Sequence, residues 1–218
     1  DVPFNTDAEL IGIGAMGQAV IRAKEIAREF KQRGKTVIMG GYMPSMIPDF
    51  VSEVCESVVI GDAEIAYPML LKDYENGCLK KKYHYPIDQI GHIPIPKYEL
   101  SSGKKIGYML PVQAGRGCPH ACSYCSIYCL YRQKYLTRPL EDVIRDIKQI
   151  KALHYKAFFL IDDNLVGNPN FFEALCNEVK PLNMIWATQA SILLAKNPKL
   201  LKLASESGCR ILSIGIES

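Results

Sequence analysis

The sequence predicts an α/β protein built as two successive strand–helix series. Three observations carry that prediction. Short apolar runs of strand length alternate with longer segments whose apolar residues recur at helical spacing. Glycines stand where those helical segments should stop. Between the two series lies a stretch with neither period. Strands that alternate with helices imply parallel sheets covered by helices.

In the first series, residues 9–14 read as a strand. Residues 16–33 read as a helix, with Ala19, Val20, Ala23, Ile26, Ala27 and Phe30 on one face and Gly34 as its stop. Residues 35–39 form the next strand, ended by Gly40-Gly41. A helix near 48–55, a strand at 57–60 and a helix at 62–75 follow, with Gly77 after them. Residues 78–105 hold three prolines together with lysines and tyrosines, and read as a surface connector. The second series begins with a strand at 106–113. Helices at 140–153, 170–180 and 198–207 then alternate with strands at 156–161, 183–188 and 210–214. Four strands with three intervening helices make an incomplete barrel. Domains are therefore expected at 1–77 and 106–218, joined by the connector. Asp1 is not a methionine and the last strand has no covering helix, so the chain reads as part of a longer protein.

Composition excludes several classes. Hydrophobic residues make up 48% and charged residues 22%, the balance of a globular protein rather than a disordered one. A formal net charge of +3 argues for neither nucleic acid nor an anionic membrane. No apolar run approaches the roughly 18 residues needed to span a bilayer, and no secretory pattern opens the chain. These features lead us to expect a cytoplasmic protein. Of the eight cysteines, Cys118, Cys122, Cys125 and Cys129 lie close together. In a reducing compartment such clustering favours a metal or catalytic site over disulfides. Cys55, Cys78, Cys176 and Cys209 read as small buried hydrophobes, as does Trp186 as a core residue. His84, His92 and His154 are isolated, and Lys80-Lys81-Lys82 reads as a solvated turn.

The most specific feature is Gly117-Cys118-Pro119-His120-Ala121-Cys122-Ser123-Tyr124-Cys125. Thiolates are soft ligands for iron–sulfur clusters or zinc. Three of them on a four-iron cubane leave one iron open to bind a small molecule. Structural zinc would need a fourth ligand, which Cys129 or His120 offers. The pattern C-x3-C-x-Φ-C after a first barrel strand, with Tyr124 at the aromatic position, resembles the radical S-adenosylmethionine (radical SAM) superfamily. Gln113 to Gly117 before it and Thr137-Arg138-Pro139 after it are similar to that family too.

The resemblance implies a partial (β/α)6 TIM-like barrel. It also implies a [4Fe–4S] cluster on Cys118, Cys122 and Cys125, and reductive cleavage of S-adenosylmethionine to a 5′-deoxyadenosyl radical. Barrel ligands lie at the C-terminal ends of strands, here at Asp162-Asp163-Asn164, Thr188-Gln189-Ala190-Ser191 and Gly215-Ile216-Glu217-Ser218. By resemblance, Tyr124, Gln189 and Glu217 contact S-adenosylmethionine. Asp162 and Asp163 are alternatives for substrate.

Gly12-Ile-Gly14-Ala-Met-Gly17 fits a dinucleotide fingerprint by position. That fingerprint wants an acidic residue at the end of the next strand, where this chain has Gly40-Gly41 instead. The segment from residue 9 onward resembles the second half of a Rossmann-like cobalamin-binding domain joined to a radical SAM barrel. The similarity includes Gly61-Asp62-Ala63-Glu64, Pro94-x-Pro96 and Tyr98. The resemblance places Gly14, Gly17, Gly40 and Gly41 against the cobalamin tail. The chain departs from it at Gly14 and Met16, where hydroxyl residues are usual, and at Met43, where a histidine is common.

The function expected is a cobalamin-dependent radical methyltransferase acting on an unactivated carbon of a small-molecule or lipid-like substrate. Its electrons would come from a flavodoxin or ferredoxin. The alternatives are a radical SAM enzyme without cobalamin, such as one modifying RNA, an NAD-binding protein with structural zinc, and a metal-binding module with no activity.

Overall fold

The computed structural model describes residues 2–85, 90–101, 104 and 107–216. The chain divides into two compact units, Asp1–Ile87 and Asp88–Ser218.

The first unit is a four-stranded parallel sheet in the order β1-β2-β3-β4. β1 is Leu10–Gly14, and α1, Ala19–Gln32, follows it. β2 is Thr36–Gly40, followed by two short helices, α2 (Tyr42–Met46) and α3 (Pro48–Ser52). β3 is Ser57–Ile60, α4 is Ala63–Glu75 and β4 is Lys82–His84. Side chains alternate across a strand, and here both faces are covered. Val37, Met39 and Val58 pack in one cluster with Val20, Ala23, Ala27 and Phe30 of α1. Their neighbours Ile38 and Val59 pack in another with Ala66 and Leu70 of α4 and Tyr83 of β4. A continuous apolar run such as Thr36-Val-Ile-Met-Gly40 is what a doubly covered parallel strand needs.

β4 lies inside the stretch expected to be a connector. Its residues pair in parallel with Val58, Val59 and Ile60. Only Tyr83 is buried, and its hydroxyl donates to Asp73 Oδ2 at 2.8 Å. A three-residue strand with one buried side chain leaves too short an alternation to detect among lysines and tyrosines.

The second unit has its own parallel sheet, ordered β10-β9-β8-β5. β5 is Met109–Val112. A short antiparallel ribbon of β6 (Gly115–Gly117) and β7 (Tyr135–Thr137) follows, with α5 (Ser126–Tyr131) between its strands. Then come α6 (Leu140–Ala152), β8 (Ala157–Leu160), α7 (Pro169–Val179), β9 (Ile185–Ala190), α8 (Pro198–Glu206) and β10 (Cys209–Ile214). Consecutive parallel strands thus lie side by side, each joined to the next through a helix.

Two of those helices start alike. Asn168 accepts a hydrogen bond from Phe171 N at 3.1 Å, with Pro169 as the first helical residue. Asn197 accepts one from Leu200 N at 3.1 Å, with Pro198 behind it. Asparagine satisfies an otherwise unpaired helix N–H, and proline has none to satisfy.

The helices pack on one face of the sheet. Val143, Ile147 and Ile150 of α6 and Phe172, Leu175 and Val179 of α7 share a cluster with Leu110, Val112, Phe158, Leu160 and Trp186. The Trp186 ring lies 6.5 Å from Phe158, stacked, and 6.3 Å from Phe172, edge on; its Nε1 donates to Ser207 O. On the other face, Pro111, Gln189 and Ser213 remain exposed. Cys55, Cys176 and Cys209 are buried as expected, whereas Cys78 is exposed.

Candidate active site

The cysteine loop leaves β6 and returns through β7, whose residues pair Gly115 with Thr137 and Gly117 with Tyr135. Gly117 has φ +84°, a backbone region that side-chain-bearing residues avoid. A Cβ there would run into the Lys134 carbonyl and the Tyr131 ring. The chain therefore turns tightly into Cys118. Cys125 N donates to the Cys122 carbonyl at 3.0 Å, so those two cysteines sit on one turn, and Cys125 immediately precedes α5. The loop's way back passes through Arg132 and Gln133, at φ 46° and 64°. Cys118 and Cys125 are half-buried, while Cys122 and Cys129 are exposed; all four are free thiols.

Three consecutive residues at the tip of β8 hold the loop at three points. Asp162 is 1% exposed. Its Oδ2 accepts from Ala114 N at 3.0 Å and its Oδ1 from the Tyr135 hydroxyl at 3.0 Å. Burial pushes its carboxyl up to about 7, against the opposing pull of the N–H and hydroxyl groups that donate to it. The same burial, with the Asp162 carboxyl beside it, raises the Tyr135 phenol. Asp163 Oδ2 accepts from Gly117 N at 2.9 Å. Asn164, 3% exposed, places its Nδ2 3.5 Å from Cys118 Sγ while its Oδ1 accepts from Ser191 N at 3.2 Å. Just beyond, a Cβ on Gly167 would fall 2.9 Å from the Pro119 ring, so the loop rests directly on this segment.

Residues 112–218, a span that includes the whole of this arrangement, match the sequence profile of the radical SAM superfamily. They belong to that superfamily. The radical SAM domain and the unit before it align together with longer proteins. The bacteriochlorophyllide d C-12(1)-methyltransferase of Chlorobaculum tepidum is 28% identical over 204 residues, 90% of this chain and 45% of its own length. The C-8(2)-methyltransferase of the same organism is 27% identical over 236 residues, 100% of this chain and 51% of its own. The chain thus spans about half the length of the curated relatives it matches. A solved structure of the radical S-adenosylmethionine methyltransferase TsrM from Kitasatospora setae, with cobalamin and a [4Fe-4S] cluster bound, shares the fold. It superposes with a TM-score of 0.78 at 16% identity, covering 98% of this chain and 51% of its own.

Within the radical SAM domain, three thiols on one loop are the donor set that an iron–sulfur cluster takes. As placed, no three His, Cys, Asp or Glu side chains among the described residues stand close enough together to enclose a metal ion. Tyr124 is 67% exposed beside the cysteines. Gln189 sits on β9 opposite Ser213 of β10, on the sheet face that the helices leave open. Glu217 lies outside the described residues. The carboxylates of Asp162 and Asp163 are engaged by the loop itself. That role is invisible in sequence, because the groups they hold lie 48 and 46 residues away.

In the first unit, Gly14 and Gly40 pair across the ends of β1 and β2. Gly41, at φ +85°, lies against Gly14 and Ala15. Gly17, at φ +54°, is exposed with open space where a Cβ would go. Ser45 links the next tip, since its Oγ donates to Gly41 O at 2.6 Å and accepts from Gly61 N at 2.9 Å. The C-terminal edge of this sheet is therefore a row of glycine turns, and at Gly14, Gly17 and Gly61 a Cβ would meet nothing within 4 Å among the described residues. That is the edge where open α/β sheets bind ligands.

Proposed function

We propose that this chain is the cofactor-bearing part of a cobalamin-dependent radical SAM methyltransferase acting on an unactivated carbon. The observation that carries the reading is the cysteine loop of a radical SAM domain held at three points by Asp162, Asp163 and Asn164. In this reading residues 1–77 are the second half of a Rossmann-like cobalamin-binding domain. Residues 78–105 connect it to the first four β/α units of a partial (β/α)6 barrel, residues 106–218. Separate parallel sheets in the two units and the likeness to TsrM over nearly the whole chain support a two-part division, with Lys82–His84 at the start of the connector adding the fourth strand of the first sheet.

When bound, a [4Fe–4S] cluster supplies the electron that cleaves S-adenosylmethionine to a 5′-deoxyadenosyl radical, and cobalamin carries the methyl group. Cys118, Cys122 and Cys125 hold the iron. Tyr124, Gln189 and Glu217 would contact S-adenosylmethionine. Gly14, Gly17, Gly40 and Gly41 would let the backbone approach the corrin's nucleotide tail: a Cβ at Gly14 or Gly17 would project into open space, while Gly40 and Gly41 pack closely against Val59 and Ala15 at the strand tips. A small reductant protein such as a flavodoxin or ferredoxin delivers electrons, and the substrate is a small or lipid-like molecule. Both methyltransferase relatives named above fit that substrate class.

The test is anaerobic reconstitution of the full-length protein, with iron, sulfide, zinc and cobalt quantified and the products of S-adenosylmethionine assayed. About four irons per chain, together with cobalt and S-adenosylmethionine cleavage, is the expected result. Iron without cobalt would move the protein to radical enzymes that use no corrin. Stoichiometric zinc without iron would overturn the reading altogether.

A further inference from the structure

We propose that Asn164 is a positioning residue that sets the reduction potential of the cluster through a hydrogen bond to Cys118 Sγ. The proposal rests on the reading that Cys118 is an iron ligand. Asn164 is 3% exposed, and its side chain has one partner on each side. Its Oδ1 accepts from Ser191 N at 3.2 Å and its Nδ2 faces Cys118 Sγ at 3.5 Å. This orientation is fixed by the partners. The reversed amide would set its NH2 against the Ser191 N–H, two donors facing each other, and its oxygen against sulfur. The amide therefore presents a donor to Cys118, one of the two half-buried thiols of the loop.

A donor aimed at a ligating thiolate stabilises negative charge there, and reduction adds one electron to the cluster. Hydrogen bonds to the sulfurs are one of the main ways a protein tunes such a potential. Burial strengthens the effect, since water does not compete for the site. Asn164 thus makes the cluster easier to reduce. Ser191, at the end of β9, holds the amide in place, which ties the potential to the strand that also carries Gln189.

Asn164→Asp separates this role from simple support. The carboxylate keeps the acceptor for Ser191 N–H and loses the donor to sulfur. Asn164→Leu removes both at similar volume. The readout is the midpoint potential of the reconstituted full-length protein, from a dithionite titration followed by electron paramagnetic resonance. It is taken at alkaline pH so that the new carboxyl is ionised, with iron and sulfide content measured alongside. Both variants are expected to titrate at more negative potential than the parent with unchanged iron content, Asn164→Asp by the larger shift. An unchanged potential in Asn164→Asp at full iron content overturns the proposal. So does a variant that keeps its circular dichroism yet loads no iron, since that would assign Asn164 to loop assembly. Absence of iron in the parent protein would instead overturn the cluster reading on which the proposal rests.

Discussion

Asp162 is a buried carboxyl group whose oxygens accept from the Ala114 N–H and the Tyr135 hydroxyl. Its folded-state value of about 7 lies above the ordinary carboxyl value near 4. The folded protein therefore binds that proton more tightly than the unfolded chain. The resulting stability is fully present below pH about 4 and is lost as pH rises towards about 7, at roughly 1 kcal/mol per pH unit. Asp162→Asn should flatten this contribution. Urea unfolding across that window should show parent and variant diverging in slope, and parallel curves would refute the assignment. The neighbouring cysteines were legible in the sequence because their chemistry is written in local spacing. Asp162 was legible only as a polar strand tip. Its partners are set by tertiary contacts with Ala114 and Tyr135, on either side of the loop.

Helices were the most legible elements. The apolar positions of α1 and α6 recur over three or more turns, and the buried residues fall on them: Val20, Ala23, Ala27 and Phe30 in one, Val143, Ile147 and Ile150 in the other. Short elements escaped. β6 and β7 have three residues each and pair across the cysteine loop. Two of the three residues in β6 are glycines, which a strand reading disfavours. The Asn-Pro starts of α7 and α8 are a local signal that the structure gives a physical meaning. Asn168→Ala should destabilise the protein by about 1 kcal/mol, because the Phe171 N–H loses its acceptor. Asn170→Ala, two residues further and exposed, should stay within about 0.5 kcal/mol. Equal effects in chemical denaturation would mean that the cap contributes nothing.

At the scale of the whole chain, each unit has its own sheet and its own apolar clusters. Lesions in one should therefore leave the other's cofactor in place. Cys122→Ala is expected to abolish iron loading and spare cobalt, since two thiolates cannot hold a cubane that needs at least three. Gly40→Val is expected to weaken cobalamin retention and spare iron. A Cβ at Gly40 already sits 3.4 Å from Val59 Cβ, and the added methyls would crowd the strand tip. Metal analysis of both purified variants checks this. Parallel loss of iron and cobalt in either one would indicate general unfolding. The two strand–helix series could be read from the sequence because their periods change with each element. The strand β4 could not, because its only inward residue, Tyr83, stands among exposed lysines and a histidine.

The ribbon of β6 and β7 also has a kinetic meaning. By pairing Gly117 with Tyr135 it holds together the two ends of the cysteine-bearing segment before any iron arrives. Loop-closure entropy is then met by backbone pairing and by the β8 tip. Each thiol encounters the others at an effective concentration governed by a few intervening residues, of millimolar order for short connections. Assembly of the cluster becomes a local search within a folded protein, and its rate should follow iron and sulfide supply rather than refolding of the chain.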